Sequence, residues 1–258
     1  MKIRTLLTLL AAALILSGCA RNAQDGKGRL RIISLSADTG LKGSVVTRAE
    51  VELEGLTPPA DEEFSLAVKN SGGTEAYSWT DITSCLGQGW ELDPGSYTAT
   101  ALCGDIEQEG FGYPCFGVTE PFTILNEKTT QVPLVARLMN MAVTVGYSPK
   151  FKGYFPTHNV VISRGGAELA DFSTQPDGSI AFIKPAAFKA VVSCTYQNGR
   201  TYSNTFDVNK NIAACTWQKI FLDVDNAGSV SVTVTWNDDV ETIVLDPIET
   251  GDEEETNP

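Results

Sequence analysis

Asp93-Pro94-Gly95-Ser96-Tyr97-Thr98-Ala99-Thr100-Ala101-Leu102-Cys103 reads as a turn that launches a strand with one buried face. Pro94 fixes φ and Gly95 accepts backbone angles closed to other residues, so the strand begins in a set register. Within it Tyr97, Ala99, Ala101 and Cys103 alternate with Ser96, Thr98 and Thr100, and a period of two sends alternate side chains to opposite faces. The same alternation returns in Met141, Val143, Val145 and Tyr147, in Ala190, Val192, Cys194 and Tyr196, and in Val230, Val232, Val234 and Trp236. No window of helical length carries an apolar stripe of period 3.6. Turn signals punctuate the strands: Asn70-Ser71-Gly72-Gly73, Gly165-Gly166, Pro176-Asp177-Gly178 and Gln197-Asn198-Gly199. Many short strands between such turns predict an all-β chain of antiparallel β-sandwiches.

Length and charge divide the chain further. A sandwich takes about 100 residues, and residues 28–137 and 138–237 supply 110 and 100, so two tandem sandwich domains fit better than one. Residues 27–136 hold 7 basic and 16 acidic side chains, a balance of −9, whereas residues 137–237 hold 9 and 6, a balance of +3. The last block, residues 238–258, has nine acids and no base, and it reads as a disordered acidic tail with nothing to bury. Hydrophobic residues at 42% give enough apolar material for real cores. A formal charge of −13 argues against nucleic acid, whose phosphates call for clustered Lys and Arg. A single histidine, His158, removes most histidine-based catalysis and most zinc sites.

The N-terminus carries an address. Met-Lys-Ile-Arg precedes an apolar run over residues 5–16, about a dozen residues against the roughly 20 that a membrane-spanning helix needs. Leu16-Ser17-Gly18-Cys19 resembles the lipobox of bacterial lipoproteins, which implies a signal peptide over residues 1–18, acyl chains on Cys19 and a polar tether over residues 19–27. Ala20 after the cysteine implies the outer membrane, with the cell surface and the periplasmic face both open. The membrane is then a partner through the N-terminal lipid anchor.

Several motifs together resemble a family. Trp90-Glu91-Leu92-Asp93-Pro94-Gly95-Ser96-Tyr97, then Tyr113-Pro114-Cys115-Phe116-Gly117, Pro121-Phe122-Thr123-Ile124, and Met141-Ala142-Val143-Thr144-Val145-Gly146-Tyr147 with Phe151 and Phe155, are similar in order and spacing to an uncharacterised family of Bacteroidales lipoproteins. It is family four-four-nine-three among the domains of unknown function. The resemblance covers residues 28–236 and implies tandem β-sandwiches on a lipid anchor, broadly fimbrillin-like, with no activity. A cysteine often found before the second half's first strand stands here as Ala136, so no disulfide role carries over to it. Val46-Thr47-Arg48-Ala49 resembles an Arg-directed maturation site of fimbrillin-type subunits.

With Cys19 lipidated, Cys85, Cys103, Cys115, Cys194 and Cys215 remain, an odd number in an oxidising compartment. Cys103 and Cys115 flank an acidic loop, and a bridge there would contribute about 3 kcal/mol; Cys194 with Cys215 is a second pairing. The alternative is that these are small buried residues. Asp223-Val224-Asp225-Asn226-Ala227-Gly228 opens like a calcium loop, but Ala227 and Val234 stand where ligands belong, so it reads as a turn. No nucleophile–base set, metal cluster or cofactor loop is visible, and neither an enzyme nor a cofactor is expected. Phe111-Gly112-Tyr113-Pro114-Cys115-Phe116 reads as packing over a sandwich end or the interdomain seam in preference to a sugar platform.

Two function classes follow. One is a non-catalytic cell-envelope lipoprotein with a structural or adhesive role, a fimbria-related subunit or anchor whose protein partners join by strand addition, with Val230–Trp236 as the exchanged edge. The alternative is a glycan-binding surface lipoprotein, with Trp79, Trp90 and Tyr113 as the ligand-contact aromatics.

Overall fold

The computed structural model describes residues 26–41, 56–197, 199–210 and 212–224 in full, and the backbone of Val230–Trp236 and Asp239–Val244. The signal peptide, Cys19, residues 46–49 and the acidic end beyond residue 244 lie outside the described residues. The first half holds β1 (Gly28–Asp38), β2 (Ser65–Asn70), β3 (Glu75–Trp79), β4 (Trp90–Leu92), β5 (Gly95–Cys103), β6 (Gly110–Phe111), β7 (Phe116–Ile124) and β8 (Thr129–Leu138). The second holds β9 (Met141–Tyr147), helix α1 (Pro149–Tyr154), β10 (Thr157–Arg164), β11 (Ala167–Asp171), β12 (Ile180–Ile183), β13 (Phe188–Thr195), β14 (Thr201–Val208), β15 (Thr216–Val224), β16 (Val230–Trp236) and β17 (Asp239–Val244).

Seven strands of the first half form one sheet in the order β3-β2-β5-β7-β8-β1-β4. The sheet rolls on itself. β7 and β8 pair only where Phe116 and Gly117 meet Leu138 and Arg137. The two outer strands meet across the gap, with Trp79 of β3 5.0 Å from Trp90 of β4 and the Tyr77 hydroxyl donating to the Glu91 carbonyl at 2.8 Å. Inside the roll lie Leu30, Ile32, Leu66, Val68, Phe116 and Leu134, the alternate residues of their strands. Asp93-Pro94-Gly95 is a corner and not a hairpin, because β4 pairs with β1 while β5 pairs with β2 and β7. The Tyr97 hydroxyl donates to the Asp93 carbonyl at 3.0 Å and holds that corner.

The second half is a sandwich of a four-stranded sheet, β11-β10-β13-β14, on a six-stranded one, β17-β16-β15-β9-β12-β6. Its core is built on Met141, Val143, Val160, Ile162, Val192 and Ile220. At the β10–β11 hairpin Gly165 and Gly166 take φ of 58° and 87°, the left-handed pair that a two-residue turn needs to match strand twist. Six-residue α1 is too short to hold itself. In its first turn the Phe151 amide donates to Ser148 Oγ at 3.0 Å, and buried Phe151 and Phe155 pin it to the core.

Four features depart from the sequence expectations. Two pairs, β1 with β8 and β9 with β15, run parallel, each joining strands far apart in the chain. Leu138 ends β8 inside the first core, so the join is Met139-Asn140. Asp239–Val244, read as tail, is a strand paired with β16, since Val240, Ile243 and Val244 give it apolar, β-prone residues amid the acids. That places β16 between two strands and makes β17 the outer one. Last, β9 is buried on both faces: Met141, Val143 and Val145 enter the second core while Ala142 packs, with Phe182, against the first.

Candidate functional site

The chemistry-bearing side chains fall into three groups, the first being the seam between the halves. The loop between β5 and β7 leaves the first sheet at Gly104, whose φ is +85° and where a Cβ would lie 2.5 Å from the Pro114 carbonyl oxygen. The loop crosses to the second half and adds β6 to the edge of β12, pairing Phe111 with Ala181 and Gly110 with Phe182. Phe111 meets Phe172 edge-on at 4.9 Å. The aromatic loop is thus an interdomain seam. Glu109 supplies its polar half: its carboxylate accepts from Arg164 Nη1 at 2.6 and 2.9 Å and from the Lys184 amide at 2.6 Å. Arg164 also donates to the carbonyls of Lys184, Ala186 and Ala187. Buried Asn140 locks the join, accepting the Cys115 amide on Oδ1 at 2.5 Å and the Cys215 amide on its own carbonyl at 2.9 Å.

The second group holds the aromatics singled out in the sequence. Trp79 and Trp90 come together with Tyr77, whose ring stacks 5.5 Å from Trp79, and all three pack half-buried over the first core where the rolled sheet closes. Tyr113 stands apart on the seam loop, 50% exposed. One contiguous platform of Trp79, Trp90 and Tyr113 does not exist.

The five described cysteines are thiols, not disulfides. The expected Cys103–Cys115 bridge is corrected by register: Cys103 pairs with Phe116, so Cys115 falls one position further and alternation turns it to the other face. Cys115 Sγ lies 3.9 Å from Met139 Sδ, whereas Cys103 packs against the first core. The Cys194–Cys215 pairing fails because the two serve different cores, Cys194 the second and Cys215 the first, where its Sγ donates to the Gly40 carbonyl at 3.0 Å. His158 stands opposite Cys194 across β10 and β13, but its Nδ1 is held 2.8 Å from the Phe155 carbonyl oxygen. Burial pushes the Cys194 thiol up to about 11, the reverse of an activated nucleophile. Burial likewise holds Cys85 and Cys115 at about 11. Among the described residues no cluster of three His, Cys, Asp or Glu side chains could hold a metal ion.

The third group went unnoticed in the sequence. Lys150, Gly153 and Tyr154 of α1 face Tyr196 and Gln197, which follow β13, across a cavity of about 530 Å³. Gln197 Nε2 donates to the Gly153 carbonyl at 3.0 Å and ties the two walls. Tyr196 lies 4.5 Å from Phe155 ring to ring, and burial raises its hydroxyl's pKa. α1 itself is anchored by the Ser148 amide, which donates to the Leu222 carbonyl at 2.9 Å, and by the Ser148 hydroxyl, which donates to Asp223 and holds that carboxyl below its ordinary range. The visible signal was the Ser148-Pro149 helix start, a capping serine before a first-turn proline.

No curated protein matches the chain. Among solved structures it is similar to a fimbrial assembly protein from Parabacteroides distasonis, with a TM-score of 0.48 and 12% identity over 85% of this chain and 99% of that one. It is also similar to the fimbrial anchor protein Mfa2 from Porphyromonas gingivalis, with a TM-score of 0.38 and 12% identity over 83% of this chain and 98% of that one. Residues 26–249 match the family model described as domain of unknown function DUF4493, and the chain belongs to that family.

Proposed function

We propose that the chain is a non-catalytic lipoprotein of the outer membrane, held by acyl chains on Cys19, with a structural or adhesive role as a fimbria-related subunit or anchor. The observation that carries this reading is the terminal hairpin. Among the described residues, β16 and β17 join the six-stranded sheet only through β15, and β17 is its outer strand. An outer strand of this kind can receive a partner's strand along its open edge, which is the requirement for strand addition. With β16 interior, the exchanged edge is β17, and the proposed partner is another subunit of the same assembly.

Outer-membrane fractions compared on a denaturing gel, mildly heated beside boiled, test this. A heat-sensitive ladder of high-mass species is expected, and truncation after Trp236 should remove it. A single monomer-sized band in both lanes would overturn assembly by strand addition. Incorporation of labelled palmitate, lost in Cys19→Ala, tests the anchor separately.

A further inference from the structure

We propose that β14 is a docking edge for a second copy of this chain, the two β14 strands pairing antiparallel about a two-fold axis at Asn204. An outer strand offers a row of backbone donors and acceptors, and folded proteins blunt such rows with bulges, prolines, short lengths or a cover. The other outer strands described in full are blunted. β3 carries a bulge against β2 and is met across the gap by β4, and β4 and β6 are only three and two residues long. β11 carries a bulge against β10, and the β6 loop crosses it so closely that a Cβ on Gly110 would lie 3.1 Å from the Leu169 carbonyl oxygen. β14 has none of these devices. It is eight residues long without proline or glycine, it runs in unbroken register with β13, and among the described residues no strand pairs with its other edge.

The backbone groups on that edge follow from the ladder. The Tyr196 amide donates to the Arg200 carbonyl at 2.8 Å, so the bonds to β13 recur at every second residue from there. Thr201, Ser203, Thr205 and Asp207 therefore turn their backbone groups away from β13. The Thr205 amide accordingly donates to the Asn204 side-chain oxygen at 2.7 Å, a local stand-in for a ladder partner. Asn204 is itself out of pattern. Alternation puts it in the inward row with Tyr202, Phe206 and Val208, and it is half-buried where Phe206 and Val208 are buried.

The occupant follows from the edge's own sequence. Residues opposed across an antiparallel pair share a face, so a copy docks only in registers that preserve the alternation. Centred on Asn204, Thr201 faces the second copy's Asp207, Ser203 its Thr205, and Tyr202 its Phe206. These are hydroxyl against carboxylate, hydroxyl against hydroxyl and ring against ring, each a favourable cross-strand pair, with no like charges opposed. The two Asn204 side chains meet on the axis and can pair with each other once a carbonyl of the second copy takes over the Thr205 amide. A slip by two residues would set Asn204 against Phe206 or Tyr202, so the paired asparagines fix the register, as a polar residue does in an apolar seam. The interface is isologous and continues the four-stranded sheet across two chains. It is independent of the strand addition proposed above, since β14 lies in the other sheet from β16 and β17.

Sedimentation of the full chain in detergent over a micromolar concentration series tests it. A reversible monomer–dimer equilibrium is expected, and truncation after Trp236, which removes β17, should leave it in place. Thr205→Pro should weaken the dimer about tenfold or more, since it removes an outward donor twice across the axis. At an edge position whose amide is bonded to Asn204 and not to β13, it should leave the monomer folded. Under mild oxidation Asn204→Cys should link two chains beyond the wild-type background, because opposed Cα atoms at the axis lie about 4.5 Å apart, within disulfide reach. Ser203→Cys should not, because its counterpart stands diagonally, about 7–8 Å away. A chain that stays monomeric, a dimer unmoved by Thr205→Pro or lost with β17, or Ser203→Cys linking as readily as Asn204→Cys would overturn the assignment.

Discussion

Removing the Glu109 carboxylate is the sharpest probe of how the two sandwiches are joined. Glu109 belongs to the first half's loop and its partners to the second, and the side chains of the pair are only 12% and 24% exposed for Glu109 and Arg164. Breaking a buried ion pair from one side costs about 3–5 kcal/mol, because a charge is left behind without its counter-charge. Arg164 keeps three carbonyl acceptors and some access to water, so the cost of Glu109→Ala falls to about 2–3 kcal/mol. Glu109→Gln preserves an acceptor for the Lys184 amide and loses only the charge assistance, about 1 kcal/mol. For a chain of this size each kcal/mol moves the melting temperature by about 2–4 °C, so Glu109→Ala should melt about 4–12 °C lower. Hydrogen exchange locates the effect: amides of Gly110, Phe111, Ala181 and Phe182, which share the β6–β12 pairing, should lose protection first. A shift under about 1 °C together with unchanged exchange at those four residues would refute the view that this ion pair holds the seam.

Asn140→Ala should cost about 1–3 kcal/mol in urea unfolding, since it strips the buried Cys115 amide of its acceptor. Phe155→Ala empties a fully buried site beneath α1 and should cost about 3–5 kcal/mol by the same measurement. Stability should fall with alkali. Cys85, Cys115 and Cys194 titrate near 11 when folded against 9.0 unfolded, so above pH 9 the unfolded chain loses protons that the folded chain retains, and folding free energy declines from about pH 9 to about pH 11. Tyr147, pushed up to about 12 by burial, extends that decline, and pH-dependent urea midpoints read it. The same three thiols should resist alkylation at pH 8 in the folded chain and react at once in urea.

Period-two alternation made the strands legible because most of them have one dry face. Tyr97, Ala99 and Ala101 are buried as the pattern demands, as are Ala190, Val192 and Cys194. What the pattern cannot carry is which strands share a sheet. Asp93-Pro94-Gly95 has the residues of a tight turn, yet its flanking strands sit on opposite layers, since turn chemistry fixes the bend and tertiary pairing decides what lies beyond it. The cysteines failed for a related reason. Sequence spacing places Cys103 and Cys115 close, but only the register with Phe116 reveals that they face opposite sides. The cavity was illegible because its residues come from two segments more than forty positions apart, and Tyr154 and Tyr196 read alone as ordinary strand-end or helix-end aromatics.

The charge imbalance between the halves takes on meaning from the seam. An acidic first domain and a basic second one attract each other, but exposed charges are screened over about 8 Å at physiological salt and would hold a flexible pair only loosely. The chain adds contacts that salt does not weaken. β9 is buried on both faces, Phe182 and Ala142 are covered by the first core, and a strand of the first half is hydrogen-bonded into the sheet of the second. The Glu109–Arg164 pair then lies inside that dry contact, where its attraction is least screened. Separating the halves would expose those apolar side chains and break the β6–β12 pairs at once, so opening should be cooperative. Two sandwiches tied this way should transmit a pull as one body, which the lipid anchor and the strand addition proposed above would both require.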